Sequence, residues 1–170
     1  MDYDDLYLPW DRSQLEALAR QLVERGEGPK VDLKAMLDLS GAAAHGELLK
    51  DISAMANTYD AAHRNYGFII VGASSSAVTF AQFSQTTDQL QATIDDLVKK
   101  HIEPFVRSHV LLFGHDQEAW GVIVIPPTRQ APHVFVHDIH KRSRGDIYVR
   151  RGTTTDKAGP ADYVRFLRSI

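Results

Sequence analysis

The chain has 170 residues, a net charge of −3, 44% apolar and 24% charged residues, and no cysteine. That is ordinary globular composition for one core, and it excludes disulfides and thiolate-bound metal. No apolar run reaches the length of a membrane span, and the acidic start MDYDDLYLPWD lacks the basic segment of a signal peptide, so the expectation is a cytoplasmic protein with no membrane partner.

Residues 1–11 read as an acidic aromatic arm (Tyr3, Leu6, Tyr7, Trp10) that docks on its own domain or on a partner chain, and residues 12–170 read as a single domain. Ser13 and Glu16 have capping-box spacing. Leu15, Leu18 and Leu22 recur at helical spacing, and Gly26 stops the helix. Residues 30–34 alternate as a half-buried strand. Residues 46–57 form a second helix, with Leu48, Leu49, Ile52, Met55 and Ala56 on one stripe, and Asn57-Thr58 reads as its C-terminal turn.

A polar loop over 59–65 leads to the continuous apolar strand 68–71, and 73–84 reads as a loop with a short irregular piece. Residues 87–101 predict a third helix, with Asp88 in the first turn, Lys99 and Lys100 in the last, and Pro104 beyond. Strands are expected over 106–113, 120–125, 133–136 and 146–150, with a hairpin at 114–118 and Pro126-Pro127 closing the second strand. Gly159-Pro160 announces a final helix over 161–170. The expected fold is α+β, a mixed, largely antiparallel sheet flanked by helices.

Charge is unevenly distributed. Residues 139–170 carry eight basic and three acidic residues, an excess of +5, so the remainder is −8. Local positive potential attracts phosphate even on a slightly acidic molecule. Arg150-Arg151-Gly152-Thr153 is the sharpest candidate: a glycine turn exposes amides, and guanidinium groups grip phosphate oxygens in a fork. The competing reading is a turn with solvated arginines. His133, His137 and His140 are the closest histidine set, but no zinc pattern accompanies them. Nucleotide-binding and serine-hydrolase motifs are absent from the sequence.

Six segments, in order, resemble the AlbA-like domain of Schlafen proteins. They are Glu27-x4-Asp32-Leu-Lys34, Ile52-Ser-Ala-Met-Ala-Asn-Thr58, Tyr66-Gly-Phe-Ile-Ile-Val-Gly72, Val122-Ile-Val-Ile-Pro-Pro127, and Pro132-His-Val-Phe135 with Tyr148-Val-Arg-Arg-Gly-Thr-Thr-Thr155. The resemblance spans residues 25–160. It implies a nucleic-acid-binding module for DNA or RNA, recognising backbone through Lys34, Lys50, Lys141, Arg142, Arg144, Arg150, Arg151 and Thr153, and forming part of a larger regulator or defence protein. It also implies an alternative, a metal-dependent nuclease in which Glu27 and Asp32 are catalytic and hold Mg²⁺ or Mn²⁺. Ala73-Ser-Ser-Ser76 stands where the family's third carboxylate would fall. A third reading is therefore an oligomerisation or docking module whose catalytic site has decayed. Paired lobes in the resembling proteins imply a homo-oligomer.

Overall fold

The computed structural model describes residues 8–169. In chain order the elements are α1 (Arg12–Arg25), β1 (Val31–Lys34), α2 (Ala42–Asn57), β2 (Gly67–Val71), β3 (Ala73–Ser74), β4 (Ala77–Val78), α3 (Thr87–His101) and β5 (Ile102–Glu103). Then follow β6 (His109–Phe113), β7 (Trp120–Ile125), β8 (Val134–Phe135), β9 (Tyr148–Arg151), β10 (Thr154–Lys157) and α4 (Pro160–Arg168). The main sheet has the order β1-β2-β7-β6. Only β1 and β2 run parallel; β2–β7 and β6–β7 are antiparallel. This is the mixed α+β architecture expected.

Side-chain alternation divides the sheet into two faces. Val31, Phe68, Ile70, Val122, Val124 and Phe113 pack with Leu15, Ala19 and Leu22 of α1. Ile69, Ile123, Ile125 and Val110 pack on the opposite side with Leu49, Ile52 and Met55 of α2 and Ile94 and Val98 of α3. All residues of β2 and β7 are buried, which is why both read as unbroken apolar runs.

Several boundaries move for identifiable reasons. The capping box of α1 is Asp11 with Gln14, not Ser13 with Glu16; Glu16 instead pairs with Arg20 one turn on. The second helix starts at Ala42, before the expected Gly46, because three alanines propagate it toward its N-terminus. Strand β6 is shorter than the expected 106–113, since the Gln91 amide bonds Ser108 O and takes the Val110 N–H. The 73–84 segment contains the small β3–β4 hairpin. Gly72, at φ +83°, makes the turn into it, and a Cβ there would lie 3.1 Å from Trp120 Cβ and from backbone atoms of Phe80 and Ala81. Thr154–Lys157, over which no strand is expected, is the strand β10 paired with β9.

Of the N-terminal arm, residues 1–7 lie outside the described part. Leu8 and Trp10 pack on the α1-side core, with the Trp10 ring 4.9 Å from Tyr66 and 5.7 Å from Phe68. Among the described residues no helix is long and apolar enough to cross a membrane.

Candidate nucleic-acid interface

Because Val31 and Leu33 face α1, Asp32 and Lys34 face the opposite side, where α2 and the β9–β10 hairpin lie. Lys34 Nζ sits 3.0 Å from Asp32 Oδ2, as an ion pair without hydrogen-bond geometry, and 2.7 Å from Asp51 Oδ2 of α2. Burial pulls the Lys34 ammonium down, but Asp51 and Asp32 outweigh it, and its pKa lies above the usual lysine value. Arg150 enters from β9. Its guanidinium is 3.2 Å from Asp32 Oδ1 and donates to Gly28 O and Val31 O at 2.9 and 3.1 Å. Glu27 accepts the Leu33 N–H through Oε1 at 3.2 Å.

These contacts bear on a divalent ion. Both Asp32 oxygens already face cations, Asp51 shares Lys34, and Glu27 holds a backbone amide. Among the described residues no group of three histidines or carboxylates could hold a metal. The donor set does not fit Mg²⁺ or Mn²⁺, which need carboxylate oxygens free of competing cations.

The basic C-terminal residues divide into two groups. Arg142 is enclosed and pairs with Glu47, whose carboxyl is lowered: burial raises it, and Lys50 and Arg142 prevail. Arg150 is enclosed as described. Arg151 is half exposed and pairs with Asp162 and Asp156. Lys157 pairs with Asp146, and Arg165 bonds Asn57 O and lies near Asp162. Lys50 pairs with Glu47. Thr153 is exposed beside Gly152 in the β9–β10 turn. Arg151, Lys157 and Arg165 thus use the segment's own three acids, and of the remaining excess Arg142 and Arg150 are matched by Glu47 and Asp32 elsewhere in the fold.

Lys141 and Arg144 are exposed and have no ion-pair partner among the described residues. The Ile139–Arg142 bridge and the Arg144 N–H bond to Asp138 fold their loop tightly. That loop hangs from the end of α3: Val136 N–H bonds His101 O, and the His137 ring lies 6.1 Å from His101. Lys99 and Lys100, exposed in the last turn of α3, precede the His101 that anchors the segment leading into the loop of Lys141 and Arg144. The sequence offers Lys99 and Lys100 only as a favourable end to a helix dipole; their link to the 138–144 loop comes from tertiary packing.

Asn57 and Thr58 take a role that the sequence does not disclose. Asn57 is helical and 2% exposed. Its amide donates to His133 O and Tyr148 O at 2.9 and 3.0 Å and accepts the His133 N–H at 2.6 Å. Thr58 Oγ1 donates to Ala54 O and accepts the Arg150 N–H. Lys30 Nζ donates to Met55 O, and burial is the main cause that lowers its pKa to about 8. His133 is fixed by Pro104 O and Thr128 Oγ1, and burial lowers its pKa.

The sequence matches the family described as Schlafen, AlbA_2 over residues 27–159. The fold is similar to part of the crystal structure of the DIP2311 protein from Corynebacterium diphtheriae, with a TM-score of 0.58 and 16% identity. That likeness covers 92% of this chain and 32% of the other, so this chain spans about a third of that solved one. No curated protein matches significantly.

Proposed function

Because the chain belongs to the Schlafen, AlbA_2 family, we propose that it is a nucleic-acid-binding module that recognises the phosphate backbone of DNA or RNA. The observation that carries this reading is the basic surface of Lys99, Lys100, Lys141 and Arg144 at the end of α3, which has no ion-pair partner among the described residues. Arg151 and Thr153, exposed on the β9–β10 hairpin, extend the contact. Arg142 and Arg150 serve it indirectly, by holding the loop and the hairpin in place.

Binding of mixed-sequence DNA and RNA oligonucleotides, followed by fluorescence anisotropy between low and high salt, tests the proposal. Affinity falls steeply with salt, and each phosphate contact removed flattens the slope by about 0.9 on duplex DNA. Changing Lys99, Lys100, Lys141 and Arg144 together to alanine therefore flattens it by roughly 3 to 4. A folded quadruple variant that binds like the parent refutes the assignment.

The same reading includes assembly. The likeness to about a third of a longer chain supports a module within a larger protein, which this reading takes to be a regulator or defence protein. Tyr163, Val164 and Leu167, exposed on α4, supply apolar area for a homo-oligomer. The nuclease reading ranks below backbone binding, because Lys34 and Arg150 neutralise Asp32.

A further inference from the structure

The β1–α2–β2 unit brings the C-terminal ends of two parallel strands side by side, since Val31 pairs with Phe68 and Lys34 with Val71. In open sheets with parallel strands, ligands collect in the crevice beyond those ends. Here the segments leaving that edge, 37–40 after β1 and 82–85 after the β3–β4 hairpin, enclose a cleft of about 400 Å³. This is the size of a small-molecule site, and it is separate from the basic surface.

The lining is chemically selective. Leu37, Phe83 and Leu90 are apolar, and all three also border a narrow crevice of about 10 Å³ that reaches Leu112 and Gly121 on the sheet. The remaining lining includes Asp38, Ser40, Gln82, Gln85 and Thr93. No lysine, arginine or histidine lines it, so it is unsuited to phosphate. Asp38 Oδ1 accepts the Ser40 N–H at 2.8 Å, and bonds from Ser40 keep this carboxyl below its usual range, hence ionised at neutral pH. Gln85 is oriented by a bond from its NH₂ to Thr93 Oγ1. An aromatic ring, a carboxylate that accepts paired N–H groups, and amides that both donate and accept match the flat face and polar edge of a nucleobase.

We propose that the cleft between residues 37–40 and 82–85 is a nucleobase site, which takes one unpaired base of a strand held by the basic surface and favours bases with an exocyclic amine. The role within a strand rests on the backbone-binding reading; the affinity for a base does not. Asp38 accepts from the amine, Gln82 and Gln85 complete the edge, and Phe83 packs on the ring. Base–aromatic stacking multiplies affinity by about 5- to 150-fold per base, so a strand engaging the cleft outcompetes a duplex of equal charge.

Two measurements decide it. Amide NMR spectra of the whole chain, titrated with guanosine, cytidine, adenosine and uridine at millimolar concentration, shift resonances of 37–40 and 82–85, with uridine weakest. Ser40→Phe, which fills the cleft from an exposed position, abolishes the shifts, and Gln82→Ala reduces them. Silence of these residues, shifts elsewhere only, or shifts that survive Ser40→Phe overturn the proposal. Separately, an oligonucleotide with bases binds about 5-fold or more tighter than an abasic strand of equal length, and Ser40→Phe erases the difference. Equal binding of the two strands rejects the role within a strand. If nucleosides shift the cleft while no oligonucleotide binds, the base site stands and the backbone reading falls.

Discussion

Replacing Asn57 with alanine separates an architectural role from a ligand-contacting one. The Asn57 amide joins the end of α2 to both the β8 approach, at His133, and β9, at Tyr148, through three hydrogen bonds in a buried setting. Alanine leaves the His133 N–H and two carbonyls without these partners, in a site too enclosed for water to replace them freely. An orphaned buried group costs about 1–3 kcal/mol, less for a carbonyl with a second lone pair. The total is roughly 3 kcal/mol, near the upper end for a point change. In a domain of this size that lowers Tm by about 6–12 °C. Urea unfolding followed by circular dichroism measures it: the midpoint falls and the slope stays constant. Asn57→Asp also destabilises, since it loses both donors and sets a charge against two carbonyls. A loss under about 1 kcal/mol, with weakened nucleic-acid binding, refutes the reasoning and makes Asn57 a contact residue.

Arg150→Met leaves Asp32 buried with Lys34 alone and costs about 3 kcal/mol in urea unfolding, while the double change with Asp32→Asn recovers part of it. Lys30 has a folded pKa of about 8 against an unfolded value near 10.5. The unfolded chain therefore holds the extra proton between these values, and Lys30 makes stability rise with pH across that window by on the order of 3 kcal/mol. The stability difference between Lys30→Met and the parent must change across that window, the parent gaining on the variant as pH rises; parallel profiles contradict the assignment. Mg²⁺ or Mn²⁺ at millimolar concentration leaves Tm unchanged, because an ion that does not bind the folded state cannot stabilise it; an increase abolished by Asp32→Asn restores the nuclease reading. Sedimentation at rising concentration shows association that Leu167→Glu weakens, and a monomer throughout removes the oligomer proposal.

The central strands and α3 were legible because their burial is written locally. Trp120–Ile125 is buried on both faces and needs no alternation to be recognised. Thr87–His101 has an apolar stripe at Leu90, Ile94 and Val98 and charges suited to both ends. Thr154–Lys157 was not legible, since a short polar hairpin strand lacks both signals. The site was hidden for another reason. Arg150 meets Asp32 across 118 residues, and Arg142 meets Glu47 across 95. A local surplus of positive charge therefore says nothing about which arginines reach solvent. Similarly, Asn57 at the end of a helix looks like a turn former until the two segments that it ties are seen.

The border of the sheet at β1 has a consequence for how copies of this chain can meet. A strand there normally presents open amides and carbonyls to any passing chain. Here Gly28 folds back to exchange bonds with Val31, Arg150 caps the Val31 carbonyl, and Glu27 occupies the Leu33 amide. Most outward groups of the border are taken by its own neighbours, which disfavours strand-by-strand growth into fibres on that side. Residues with the spacing of a nuclease carboxylate pair act in this fold as a selvedge that stops the sheet from unravelling into its neighbours.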